Sequence, residues 1–446
     1  MSPEIWLACA GRVCRAALAA GLALLLAAAP AGAMTLQEAL SRAQATNPTL
    51  AAEQARLRAV DEQIPQAMSG YRPTVTATLG LSRDLTDTRY EGIGSERTET
   101  NAKSASVSAS QPLFDATVAP AVRRAERLVE AERATLLATE QTVLLNAATA
   151  YLDVVKNQEL VALNAANVAL LQRQLKAAQD RARVGEYTRT DVAQAESRLA
   201  QAVASRQTAD GTLETARAGF VRIVGSLPGT LAAPKPAFRL PKTLEEASAL
   251  ARANNPSVLS AAYTEDAQRH YVDRQFGQLL PSATLSASGS RTWDPGRDDG
   301  IDYTRTDSLT ARVQVTAPLY QAGLPESQVR EAKQTAGQYR LQTREQGNQS
   351  VESAVTAWAA LETARANIHS YRDQIKAAQT ALDGLREEAK VGSRTLLDVL
   401  DQEQELLTSR VNLVGAQRDE TVAAFQLLAA CGQLSAERLG LEKRTH

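Results

Sequence analysis

The residues of this chain that could carry chemistry do not assemble into a catalytic set. His270, His369 and His446 are scattered along it, no Cys/His group has metal-ligand spacing, and no nucleophile stands paired with a base. Gly92-Ile-Gly94 lacks the preceding strand and following helix of a dinucleotide site. Asp294, Asp298, Asp299 and Asp302 crowd one polar stretch, but their spacing is not that of a calcium loop and reads as a solvated acidic loop. An enzyme is the weakest reading, and neither cofactor nor metal is expected. What remains is fixed charge at a turn that occurs twice, as Arg183-Val-Gly-Glu-Tyr-Thr-Arg-Thr-Asp191-Val and as Lys390-Val-Gly-Ser-Arg-Thr-Leu-Leu-Asp398-Val-Leu-Asp401. Gly185 and Gly392 supply left-handed helix stops after Val184 and Val391, and Thr190 or Thr395 can cap a returning helix. An ordinary hairpin tip with solvated charges has the same composition.

Both turns belong to a duplication of the whole chain. Thr35-Leu-Gln-Glu-Ala leading to Asn47-Pro48 returns as Thr243-Leu-Glu-Glu-Ala leading to Asn255-Pro256. Pro73 falls on Pro281, Tyr151 on Trp358, Asp191 on Asp398 and Gly225 on Gly432. The repeat is too long for a solenoid unit, so one architecture is built twice. Heptad rows keep the same register: Val154, Val161, Val168 and Leu175 match Leu361, Ile368, Ile375 and Leu382. With no proline beyond Pro120 from about Thr117 to Arg183, the first long helix is predicted to run about 100 Å, a length suited to a tunnel and not to a globule. Val399, Leu406 and Leu413, beside Leu400, Leu407 and Val414, give the second return helix its seam.

Between the helices each half carries two runs of period two. Val75, Ala77, Leu79 and Leu81 alternate with hydroxyl residues, as do Ala105, Val107 and Ala109; Ala283, Leu285 and Ala287 and then Leu309, Ala311, Val313 and Val315 repeat the pattern. About 9–11 residues of apolar-out, hydroxyl-in alternation suit a tilted strand crossing a bilayer around a wet lumen. Tyr71, Phe114, Phe276 and Tyr320 lie where strand meets helix, and Tyr90, Trp293 and Tyr303 in the opposite loops, as two interfacial girdles require. The segments Asp84 to Ala102 and Thr292 to Asp307 read as solvent-exposed outer loops. Four strands cannot close a barrel, and an open edge in hydrocarbon leaves backbone groups unpaired, so the chain must oligomerise: two copies give a filled eight-stranded barrel, three a twelve-stranded pore.

Arg12 and Arg15, an apolar run from Ala16 to Ala29, and Ala31-Gly-Ala33 before Met34 fit a secretory signal. That run is shorter than a membrane helix needs, and no later segment approaches the length. The predicted organisation is a signal at 1–33, a first repeat at 34–232, a linker at 233–240, a second repeat at 241–436 and a tail at 437–446. In the first repeat the hairpin spans about 73–112, the long helix about 117–183 and the return helix about 190–224; in the second the spans are about 281–318, 325–390 and 395–431. Cys9 and Cys14 fall in the signal and Cys431 stands alone after it, so no internal disulfide and no lipid anchor are expected. The net charge of −1, with both signs interspersed, excludes a nucleic-acid surface.

Two repeats of hairpin plus long helices, together with Val391-Gly-Ser-Arg-Thr-Leu-Leu-Asp-Val-Leu-Asp401, resemble the TolC family of outer-membrane channel-tunnels over essentially the whole mature chain. The resemblance implies a mixed α+β membrane protein, a homotrimer in which four transmembrane strands per protomer form a 12-stranded barrel continued by a coiled-coil tunnel in the periplasm. It implies a passive exit duct in outer-membrane lipid, serving type I protein secretion or efflux of small toxic compounds. The implied partners are a periplasmic adaptor, met by tips such as Val184, Gly185, Val391 and Gly392, and an inner-membrane ABC or proton-driven pump. By the family pattern Arg394 holds the tunnel end closed against Asp191 of a neighbouring hairpin, and Asp398 and Asp401 line its narrowest point. Three copies of each make two carboxylate rings that favour cations. The tyrosine that assists the closing arginine in the family falls at Ala389, so one lock contact is missing or relocated. The competing reading, a soluble periplasmic coiled-coil adaptor or scaffold, explains the heptads but not four alternating strands.

Overall fold

The computed structural model describes residues 34–92, 94–229, 231–232, 239–295 and 303–441. The signal at 1–33, most of the linker, and Asp298, Asp299 and Asp302 of the acidic stretch lie outside them. Each half opens with two short helices: α1 (Leu36–Thr46) and α2 (Pro48–Asp61), extended by the single-turn α3 (Gln63–Met68), match α6 (Leu244–Asn254) and α7 (Pro256–Gly277). A β-hairpin follows, then a long helix and its return: β1 (Thr74–Tyr90), β2 (Gly94–Phe114), α4 (Val118–Arg183) and α5 (Arg189–Val224) in the first half. The second half gives β3 (Ser282–Pro295), β4 (Tyr303–Thr316), α8 (Leu324–Lys390) and α9 (Leu396–Ala430). With 66 and 67 residues, α4 and α8 are each about 100 Å long.

The four strands form one antiparallel sheet in the order β1-β2-β3-β4, so the two halves join through β2 and β3. Register follows the side chains: Ala77 lies opposite Val107, Ala109 opposite Ala287, Leu285 opposite Val313 and Ala283 opposite Val315. Apolar residues thereby share one face, and Leu79, Leu81 and Leu309 stand 84–88% exposed on it. That face carries no protein cover, as a lipid-facing band requires. β1 and β4 end the sheet with free edges.

The strands are longer than the predicted 9–11 residues, at 17, 21, 14 and 14. Residues 84–90 and 94–102 are not a loop: they continue β1 and β2 as a two-stranded ribbon, paired from Asp84↔Thr100 to Tyr90↔Gly94. Polar alternation keeps the ladder going once the apolar band ends, and an Arg83–Glu99 ion pair bridges the strands. The predicted second girdle changes accordingly. Trp293 pairs with Lys103, which faces Leu81, whereas Tyr90 is nine residues further along β1, about 30 Å beyond that level. The inner aromatics do share the strand–helix junction, where Tyr71, Phe114, Phe276 and Tyr320 are all more than half exposed. Among the described residues, no helix is long and apolar enough to cross a membrane.

A large buried cluster lies midway along α4, where the return helices α5 and α9 end. Tyr151 of α4, fully buried, meets the ring of Phe220 of α5 at 6.4 Å between centroids. Its hydroxyl lies 2.8 Å from Met34 O and 2.7 Å from Ala232 O, sharing its proton between the start and the end of the first repeat. Phe425, Leu428 and Leu434 complete the cluster from the second repeat. Asn47 and Asn255 do the same work in each half: each side-chain carbonyl caps its helix from Thr49 N or Ser257 N at 2.9 Å. Each amide donates to the closing turn of a return helix, at Ile223 O (3.1 Å) or Ala430 O (3.0 Å).

Candidate functional site at the helix tips

Both long helices stop in the same way. Val184 and Val391 end α4 and α8, and Gly185 (φ +81°) and Gly392 (φ +78°) take the left-handed conformation that an L side chain resists. Gly185 N donates to Ala182 O (3.2 Å) and Glu186 N to Arg181 O (3.0 Å); Gly392 N and Ser393 N repeat this to Ala389 O (3.2 Å) and Glu388 O (3.1 Å). Each is a Schellman closure that satisfies the last carbonyls of the helix. The return helices start from reciprocal capping boxes, Thr188 with Asp191 and Thr395 with Asp398. Thr188, and not the predicted Thr190, is the first cap: only Thr188 stands three residues before a carboxylate, as Thr395 does, and Thr190 already lies inside α5. Val184 and Val391, at 73% and 80% exposure, form an apolar point on each tip.

The charges separate the two tips. On the first, Arg181 donates to Tyr187 Oη (2.9 Å) and lies over its ring at 5.3 Å. On the second, Arg394 Nε donates to Glu388 Oε2 at 2.9 Å, folding back across the turn of its own hairpin. That hydrogen bond, the Glu388 charge and then the Asp398 charge raise the Arg394 pKa further above its ordinary value. Asp398 is pushed below the ordinary carboxylate value by the Thr395 backbone N–H and then the Thr395 hydroxyl, with Arg394 contributing less. Asp191 Oδ2 accepts from Thr188 N and Oγ1, each at 2.8 Å. Within one protomer Arg394 and Asp191 are therefore each engaged on their own tips.

Asp401 pairs with Arg198 of α5, which links the two hairpins. Two residues on, Glu403 is held by Gln174 of α4, whose Nε2 lies 2.6 and 2.7 Å from its two carboxylate oxygens, and by Arg386 Nη2 of α8 at 2.9 Å. Neither Arg198 nor Glu403 was singled out by motif. A signal for Glu403 exists: it occupies the i+4 place of the apolar row Val399, Glu403, Leu406, where a charge at a seam requires partners. Ala389, at the place of the family's assisting tyrosine, packs at the edge of the apolar cluster that holds Leu382, Val399 and Leu406.

A sequence profile described as outer membrane efflux protein matches residues 39–226 and again 247–433, one match for each structural repeat. The chain belongs to the outer membrane efflux protein family. Its relatives include the outer membrane efflux protein BepC of Brucella suis biovar 1 (strain 1330), 36% identical over 444 residues, which cover 99% of this chain and 94% of BepC. The outer membrane protein TolC of Escherichia coli (strain K12) is 26% identical over 429 residues, 91% of this chain and 84% of TolC. Among solved structures, the CusC transmembrane channel superposes with a TM-score of 0.78 at 16% identity, covering 89% of this chain and 92% of CusC, which shows the shared fold. As an outer membrane efflux protein, this chain is an outer-membrane exit duct of a tripartite export system and not an enzyme. A soluble periplasmic scaffold is set aside by the same matches and by the uncovered apolar face of the sheet.

Proposed function

We propose that three copies close β4 of each protomer onto β1 of the next, and that the tips, from Val184 to Asp191 and from Val391 to Asp401, are the periplasmic gate of the resulting duct. The observation that carries this reading is a four-stranded sheet with two free edges and an apolar outer face, continuous with paired helices about 100 Å long. Each unpaired edge in hydrocarbon costs several kcal/mol per backbone group, which closure removes. Residues 1–33 serve as the secretory signal that routes the chain to the outer membrane.

In the assembly Arg394, whose Nε is held by Glu388, offers its remaining guanidinium N–H groups to Asp191 of a neighbouring hairpin, so closure is an ion pair between exposed groups. Asp398 remains ionised through its cap and contributes a carboxylate ring that attracts cations. The exposed Val184 and Val391 with their glycine turns are the contact points for a periplasmic adaptor. Cargo, either exported protein or small toxic compounds, is chosen by the inner-membrane ABC or proton-driven pump. The test is planar-bilayer recording of the purified, heat-modifiable oligomer with and without trivalent cations on the tunnel side. Cation-selective conductance that these additions block supports the reading, and a species without conductance overturns it.

A further inference from the structure

The two hairpins of one protomer meet near the tips through very little apolar surface. Leu400 of α9 enters a small cluster with Val168 and Leu171 of α4 and Ala202 of α5. Beside it lies a gap of about 440 Å³ between α4, α5 and α9, whose lining includes Asn164, Asn167 and Thr408 as well as Arg198 and Glu403. A fully packed helix interface excludes such a volume. What crosses it instead is polar: the Arg198–Asp401 ion pair, and the hydrogen bond from Gln174 to the Glu403 carboxylate, which Arg386 of its own hairpin also holds. Glu403 is buried to 3% side-chain exposure, whereas Arg198 and Asp401 stay at 32% and 55%. The buried link is costly to break and the exposed one is not. The first therefore resists separation, and the second yields more readily.

The duplication fails at the exposed link. In the repeat register Gln194 stands where Asp401 would, and Glu405 where Arg198 would. Glu405 instead accepts from Gln374 of its own hairpin at 2.7 Å. The matching contact between neighbouring copies consequently has no such ion pair, and a trimer carries it three times and not six.

We propose that Arg198 is a gate residue: it fastens the second hairpin to the first through Asp401, and while fastened it masks that carboxylate, so that opening and the gain of a second cation-attracting ring are one event. This deepens the duct reading above and rests on it. Opening moves α9 away from α5 about the Glu403 link, and the freed Asp401 joins Asp398 in facing the passage. The closed duct is a one-ring filter, and the open duct has two.

The experiment compares conductance and reversal potential in a potassium chloride gradient for the wild-type assembly, Arg198→Ala, Asp401→Asn and the exchanged pair Arg198→Asp with Asp401→Arg. Both single variants are expected to raise conductance roughly two- to fivefold, the equilibrium shift that an exposed ion pair supplies. Their selectivities then diverge. Arg198→Ala raises the cation preference and the sensitivity to trivalent block, and Asp401→Asn lowers both. The exchanged pair returns conductance to the wild-type level. In a separate arm, Arg198→Cys with Asp401→Cys, oxidised in the membrane, holds conductance low until reductant is added. Unchanged conductance in Arg198→Ala alongside a rise in Arg394→Ala overturns this fastening role and leaves the duct reading standing, as does an oxidised cysteine pair that conducts like its reduced form. A wild-type assembly that forms no channel overturns both.

Discussion

The region midway along α4 and the helix tips are spanned by the same helices, yet they are held by different forces. At the middle, Tyr151, Phe220, Phe425 and Leu434 are wholly buried, and segments from both repeats converge on one cluster. At the tips the hairpins touch through Leu400 and its small patch, two polar links and a gap. Apolar burial is strong, non-directional and lost only when surfaces separate completely. Polar links are directional and can be exchanged for others at little net cost. On the proposed reading, the duct is thus stiff where it stays a tube and loosely tied where it opens.

Breaking the middle is expected to have the largest effect on stability. Phe425→Ala should cost about 3–5 kcal/mol through lost burial and the cavity left behind, read as a drop in the thermal midpoint of helical circular dichroism. Gly432→Ala tests the same region through the backbone: Gly432 holds φ +68°, and an added Cβ would stand 2.1 Å from Asn254 O. Its counterpart in the first repeat, Gly225, meets only the flexible Thr46 hydroxyl at 3.0 Å, so Gly225→Ala should be the milder of the pair. An equal loss for the two would show that the repeats pack alike at these turns.

At the tips the Glu403 link comes next. Arg386→Ala should cost about 3 kcal/mol, because it strands the buried Glu403 charge, and should speed amide exchange in α9 above the tip. Loss of a cap ranks below it: Thr188→Ala and Thr395→Ala should each cost about 1 kcal/mol, with exchange speeded only in the first turns of α5 and α9. The α9 cap also has a pH signature. Asp398 has a folded pKa below the ordinary 3.8, so its stabilisation is fully present above that value and is lost as pH falls through the depressed folded value. Protection of the first turn of α9 should therefore survive slightly below pH 3.8 and vanish in stronger acid. The smallest effect on stability is expected from Arg394→Ala, whose side chain is exposed; its signature is a rise in conductance. Asp398→Asn should likewise show itself as reduced cation selectivity.

Much of this comparison was legible before any coordinates. The duplication, the length of α4, the alternation of the strands and the glycine stops at Gly185 and Gly392 all follow from local patterns, and local patterns respond to nearest neighbours in the chain. The strand ends are not legible in the sequence because polar alternation looks alike in a loop and in a ribbon whose partner strand is supplied by a hairpin. Thr190 resembles a cap because hydroxyl residues stand both at it and at Thr188, and only the carboxylate three residues after Thr188 distinguishes them.

The sequence alone determined the elements and their two-fold repetition, since periodicity, capping residues and turn glycines act over a few residues. Tertiary structure alone decided which charges meet. Arg198 and Asp401, or Gln174 and Glu403, stand far apart in the chain on helices whose relative rotation is set by packing elsewhere. An ion pair leaves no periodic trace of its partner, so its members become recognisable only when the two surfaces are brought together.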